Sequence, residues 1–182
     1  MAWSTPLTAV SNATLTAAQW NASVRDNLLT TFPALASVAG QLAVATAANA
    51  IAARSCPSDL IDTAENVTAT SFGDISGGTL GPTVTVTTGA FVYVLMSCNL
   101  FNNTGGAASY MSYAVSGATT AGADNTRALY YESSNAGDLI AFGVMVPHPV
   151  TAGSNTFRAK YRVGAGTGTF GTRRLAILNF GQ

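Results

Sequence analysis

The sequence predicts a mainly β protein in which a C-terminal antiparallel β-sandwich follows an extended arm and a short α-helix. Three observations carry this. From Glu65 onward, short runs rich in Val, Thr, Tyr and Phe recur at regular spacing between clusters of Gly, Asn and Ser. Ahead of them, the segment around Thr16 joins a helix-start signal to an apolar residue at every fourth position. The chain is also poor in charge, at 9% of residues against about 25% in ordinary domains.

The arm begins Met1-Ala-Trp-Ser-Thr-Pro6. In the helix behind it, Thr16 and Gln19 have the spacing of a capping box, which satisfies two backbone donors reciprocally. Trp20, Val24 and Leu28 then form one apolar stripe, and Pro33 stops the helix. A helix of about three turns is marginal alone, so the stripe packs on its own domain or docks elsewhere. The docking reading is preferred, with Trp3, Trp20, Val24 and Leu28 as anchors.

Residues 34–55 allow two readings. Leu35, Val38, Leu42, Ala45, Asn49 and Ala52 follow coiled-coil spacing, but Gly40 interrupts a seam half made of Ala and Asn. The preferred alternative is a hairpin over 40–54 with Asn49 in its turn. Residues 55–62, with Asp59 and Asp62, read as a linker. The organisation predicted is 1–33 docking arm and helix, 34–64 connecting segment, and 65–182 β-sandwich.

Eight strands are predicted at 67–72, 83–87, 90–101, 107–115, 127–132, 139–146, 155–163 and 173–180. Their punctuation fits a jelly-roll-like sandwich. Phe157, Ala159, Tyr161 and Val163 alternate with Arg158, Lys160 and Arg162, giving one core face and one basic, solvated face. The run from Phe91 to Met96 is apolar on both faces and calls for cover on both. Phe91, Tyr93, Leu95, Leu175 and Ile177 are accordingly expected at a trimer interface or in the core.

Little in the sequence points to catalysis. The single histidine, His148, lies between Pro147 and Pro149 and reads as a stiff strand-end turn. Asp124, Glu132 and Asp138 read as turn formers and loop charges, not as a facing catalytic pair. No His/Cys cluster or calcium loop occurs, so no catalytic, cofactor or metal site is expected, and the chain is expected not to be an enzyme. The Gly164–Gly168 stretch lacks the Lys-Ser/Thr of a phosphate loop. From residue 76 onward there are six basic and three acidic residues, too mild a balance for nucleic-acid tracking. Arg173 and Arg174 are expected to meet carboxylates or backbone carbonyls. No membrane span is predicted. No secretory signal is read at the N-terminus, so a chain made and at first kept in the cytoplasm, with Cys56 and Cys98 reduced, is expected.

Low charge with 48% hydrophobic residues indicates that much of the surface is buried between subunits. Three stretches carry a family resemblance. Trp3-Ser-Thr-Pro6 with Leu15-Thr-Ala-Ala-Gln-Trp-Asn-Ala-Ser-Val-Arg-Asp-Asn-Leu28 resembles the N-terminal segment of small structural proteins of tailed bacteriophages, particularly those of actinobacteria. Residues 150–162 and 166–177 are similar to the last strands of trimeric, jelly-roll-like tips on such proteins, and residues 40–54 resemble hairpins of phage fibres. The resemblance implies a homotrimeric virion part, a minor tail or tail-fibre component contacting other virion proteins and a host surface glycan or receptor. A capsid decoration protein or head fibre of the same architecture is the alternative, and a carbohydrate- or receptor-binding module the second. It implies no functional residues.

Overall fold

Thr16 opens the helical segment as its spacing predicts. In the computed structural model, which describes residues 7–8, 11–29, 31–48 and 50–180, the Gln19 amide donates to Thr16 Oγ1 at 3.2 Å. The Thr16 amide donates back to Gln19 Oε1 at 3.0 Å, closing the capping box. The segment runs as α1 (Ala17–Trp20), a π turn (Asn21–Arg25) and α2 (Asp26–Leu28). Pro33 falls inside a further short helix, α3 (Phe32–Leu35), in the first turn, where its missing N–H has no intrahelical partner to lose.

Residues 40–54 form the hairpin. β1 (Leu42–Ala47) pairs antiparallel with β2 (Ala50–Arg54), from Leu42 opposite Arg54 to Ala47 opposite Ala50. Gly40 has φ +84°, a left-handed conformation that ends helical propagation and leaves the coiled-coil seam unformed. Asn49, the expected turn residue, lies outside the described residues. These elements make up one unit, Met1–Cys56; Pro57–Gln182 is the second.

The second unit carries β3 (Ser58–Ile61), β4 (Glu65–Val67), β5 (Thr83–Thr88), β6 (Phe91–Asn102), β7 (Ala108–Gly117), β8 (Leu129–Glu132), β9 (Ile140–Pro149), β10 (Gly153–Val163) and β11 (Gly168–Leu178). One sheet has the order β3-β11-β6-β9, with β4 also on β11; the other is β5-β10-β7-β8. Every pairing is antiparallel. The chain crosses between the sheets at most connections, which makes the sandwich a jelly roll. Val92, Val94, Met96 and Leu100 of β6 meet Met111, Tyr113, Phe157 and Tyr161 from the opposite sheet in one core.

Three segments depart from expectation. The stretch read as a linker contains β3, because Asp59 is no loop charge: its Oδ2 accepts the Thr83 amide at 2.8 Å. Of the strand expected at 67–72 only Val67 is paired, as the last residue of β4. Residues 69–73 instead cross between sheets, and the Val163 and Tyr161 amides donate to Ala69 and Gly73 carbonyls at 2.9 Å. His148 lies in β9 and not in a turn. β9 is the outer strand of its sheet, which tolerates the donor lost at Pro147 and Pro149.

Arg173 and Arg174 part company. Thr172 has φ 46°, and the register slips between Gly171 and Arg174, a bulge that re-aims the side chains. Arg173 is fully buried and donates to the carbonyls of Thr63 at 3.0 Å and Thr79 at 3.4 Å. It thereby ties the β3–β4 and β4–β5 connections to β11. Arg174 points outward.

Candidate assembly surface

Over Phe91–Met96 β6 is apolar on both faces, and the sandwich covers only one of them. Val92, Val94, Met96, Cys98 and Leu100 face the core. Phe91, Tyr93 and Leu95, then Ser97, Asn99 and Phe101, alternate with them on the outside and are half-buried by their neighbours alone. Strand register aligns the flanking residues on that same outer face. Leu95 stands opposite Met145 of β9 and Ala176 of β11, and Tyr93 opposite Pro147 and Leu178. Arg174 of β11 stands opposite Leu60 of β3.

The result is an apolar layer spanning four strands. Leu60 is 45% exposed, Met145 57% and Phe180 40%. At one end Tyr93 packs edge-on against Phe91 and Phe180, with ring centres 5.0 and 5.9 Å apart. At the middle, the small residues Ser97, Gly143 and Ala176 leave a groove of about 570 Å³ between Leu60, Leu95 and Met145. A Cβ on Gly143 would come within 2.9 Å of the Met96 carbonyl and 3.2 Å of the Ser97 Cβ, so the groove depends on this glycine. The formal charge bordering it comes from Arg174 and from Asp59, whose carboxylate already holds the Thr83 amide.

An antiparallel sheet with one face on a core normally presents polar residues on the other. Contiguous apolar patches of this kind mark interaction surfaces. Three strands of about ten residues, with the four-residue β3 at one edge, cover about 500 Å² of flat area. That is the scale of one partner's share, about 800 Å², of a standard interface.

The residues singled out from sequence sort into three groups. Phe91, Tyr93 and Leu95 lie together on the outer face. Leu175 and Ile177 are fully buried in the sandwich core, because β11 alternates and they occupy its inward phase. Trp20, Val24 and Leu28 belong to the first unit. Trp20 is 55% and Leu28 59% exposed, with Val24 half-buried, so this stripe too is largely open. Trp3 lies outside the described residues. Sequence reasoning missed Leu60, Met145, Ala176 and Arg174, which join the face only through strand register. The one available signal was Met145 alternating with Val144 and Val146.

Asp124, Glu132 and Asp138 do not converge. Asp124 Oδ1 caps a 3₁₀ turn (Asn125–Arg127) by accepting the Thr126 amide and hydroxyl at 2.7 Å, bonds that hold its carboxyl below the usual range. Glu132 ends β8, and Asp138 Oδ2 accepts the Asn135 amide at 2.9 Å.

No family model matches the chain, and no curated protein does. Among solved structures, the chain is similar to one from infectious bursal disease virus, Gx strain, at 14% identity and a TM-score of 0.41. That similarity covers 78% of this chain and only 37% of the viral one. It is also similar to a carbohydrate-binding module, CBM6cm-2, from Cellvibrio mixtus lichenase 5A in complex with cellotriose. There the identity is 13% and the TM-score 0.32, over 78% of this chain and 88% of the module.

Proposed function

We propose that the chain is a non-catalytic structural part of a bacteriophage virion, a homotrimeric tail-fibre or tail-tip component. Its N-terminal arm and helix anchor it, and its jelly roll is displayed. The observation that supports the reading is the apolar outer face of the β3-β11-β6-β9 sheet, centred on Leu95 and Met145. The occupant of that face is a second copy of the same chain. Its ridges and groove are both apolar, and a chain with 9% charged residues gains little from staying separate in water. The exposed stripe of Trp20 and Leu28 supplies a separate apolar contact suited to the particle. Three linked copies multiply any weak contact made by the displayed surface.

Light scattering behind a sizing column tests the reading. The full chain should run near three times its 18.5 kDa mass. Met145→Asp with Leu95→Asp should return a folded monomer. A wild-type monomer across the micromolar range, or a trimer indifferent to both substitutions, would overturn the assignment of this face. Fractionation of particles into heads and tails then separates a tail component from a capsid decoration protein.

A further inference from the structure

The other sheet ends in a chemically opposite outer face. Along β10, Arg158, Lys160 and Arg162 alternate with core residues and stand in a row at about 7 Å intervals. Lys160 is neutralised by Asp74 at 2.8 Å. Arg162 is held by an uncharged group, its Nε and Nη2 donating to Asn125 Oδ1 at 3.1 and 2.9 Å. Arg158 makes no ion pair among the described residues. Two positive charges on this face therefore make no ion pair, with the Asp124 carboxylate, already held by Thr126, lining the cleft beside Arg162.

Arg162 also begins a stack that crosses the sheet. Register places it opposite Tyr110 of β7, and Tyr110 opposite Tyr130 of β8. The guanidinium carbon lies 3.7 Å from the Tyr110 ring centre. The Tyr110 and Tyr130 rings stack with centres 5.3 Å apart and planes 21° from parallel. The Phe72 ring centre is 5.3 Å from the same guanidinium. β8 is the last strand of its sheet, so the Tyr130 ring face turned away from Tyr110 opens onto the edge, and the residue is 57% exposed. Next to Arg162 an open cleft of about 400 Å³ is lined by Ser71, Phe72, Asp124 and Asn125.

This arrangement is ordered before any ligand arrives. Tyr130 is oriented by Tyr110, and Arg162 by Tyr110 and Asn125, so binding costs little side-chain entropy. A matching ligand presents a face of C–H groups to a ring, hydroxyls to amide and hydroxyl groups, and negative charge to unpaired guanidinium. Tyr130 and Arg162 lie two strand spacings apart, about 10 Å, which takes more than one sugar ring to bridge. Single-stranded nucleic acid also stacks on tyrosines, but it tracks a continuous basic groove. Here only two cations are unpaired.

We propose that this face binds an acidic oligosaccharide, one sugar ring stacked on Tyr130 and its anionic substituents paired with Arg162 and Arg158. The site lies on the sheet opposite the self-association face, so its test does not depend on the trimer.

Calorimetric titration of the full chain with oligogalacturonate, sialyllactose and a sugar-phosphate polymer tests it, beside uncharged malto-oligosaccharide, polyglutamate and oligo-dT. At least one acidic saccharide should bind, and more tightly than the uncharged sugar or polyglutamate. Tyr130→Ala should weaken that binding about tenfold. Arg162→Gln should weaken it and flatten its salt dependence, while Arg25→Gln leaves it unchanged. Unaltered melting of the Tyr130→Ala protein guards against misfolding. Three outcomes overturn the proposal: no acidic saccharide binds, binding survives both substitutions, or polyglutamate or oligo-dT binds as well as the best saccharide.

Discussion

Tyr113 Oη lies 2.8 Å from His148 Nδ1, and both residues are buried. Tyr113 belongs to β7 and His148 to β9, so this contact joins the two sheets through the core. Burial, with the nearby Arg127 charge, pushes the imidazole below its ordinary value of 6.5 and favours the neutral ring. Burial likewise keeps the Tyr113 phenol protonated, raising it well above its usual value.

The sign of the pH dependence follows from that lowered imidazole. Well above pH 6.5 both folded and unfolded histidine are neutral and contribute no slope. As pH falls below 6.5, the unfolded chain takes up a proton that the fold resists, so stability declines until the folded value is reached. His148 is the single histidine, so urea midpoints measured between pH 7.5 and 5 isolate it. His148→Gln should flatten the decline in that window.

Arg173 is a buried cation with carbonyl partners on two connections and an Nε that finds none. Arg173→Ala should lower unfolding free energy by about 3 kcal/mol, through the cavity and the two stranded carbonyls. Chemical denaturation read by far-UV circular dichroism measures this. A loss below 1 kcal/mol would mean that the buried charge costs the fold nearly what its bonds return.

The thiols should differ in reactivity. Cys98 is 2% exposed and burial pushes it up to about 12, leaving almost no thiolate at neutral pH. Cys56 is half-exposed. A thiol reagent should therefore modify one equivalent in the folded protein and two in denaturant.

Trp20 and Leu28 offer a test of the division into two units. Trp20→Ala with Leu28→Ala should leave the sandwich melting temperature within about 2 °C, since exposed sites outside the core contribute little, while reducing incorporation into particles. A large drop in melting temperature would place the helix in the sandwich core.

The elements whose pattern is local were legible in the sequence. The Thr16–Gln19 box fixed the helix start because capping needs only residues three apart. The alternation of Phe157, Ala159, Tyr161 and Val163 with basic residues fixed which side of β10 is core. β6 was recognisable as an unusual strand because both of its phases are apolar. Where β3 lies was not legible, since Asp59 is stabilised by an amide 24 residues away.

The sequence by itself determined the β class, the helix start and the two apolar phases of β6, all set by short-range spacing and burial preference. Only the tertiary structure decided which apolar residues meet. Register alone puts Leu95 beside Met145 and Ala176, and Tyr110 between Arg162 and Tyr130. A bulge at Thr172 alone sends Arg173 inward and Arg174 out. Such neighbours are chosen by hydrogen-bond pairing between distant strands, where a slip of one residue exchanges the two faces.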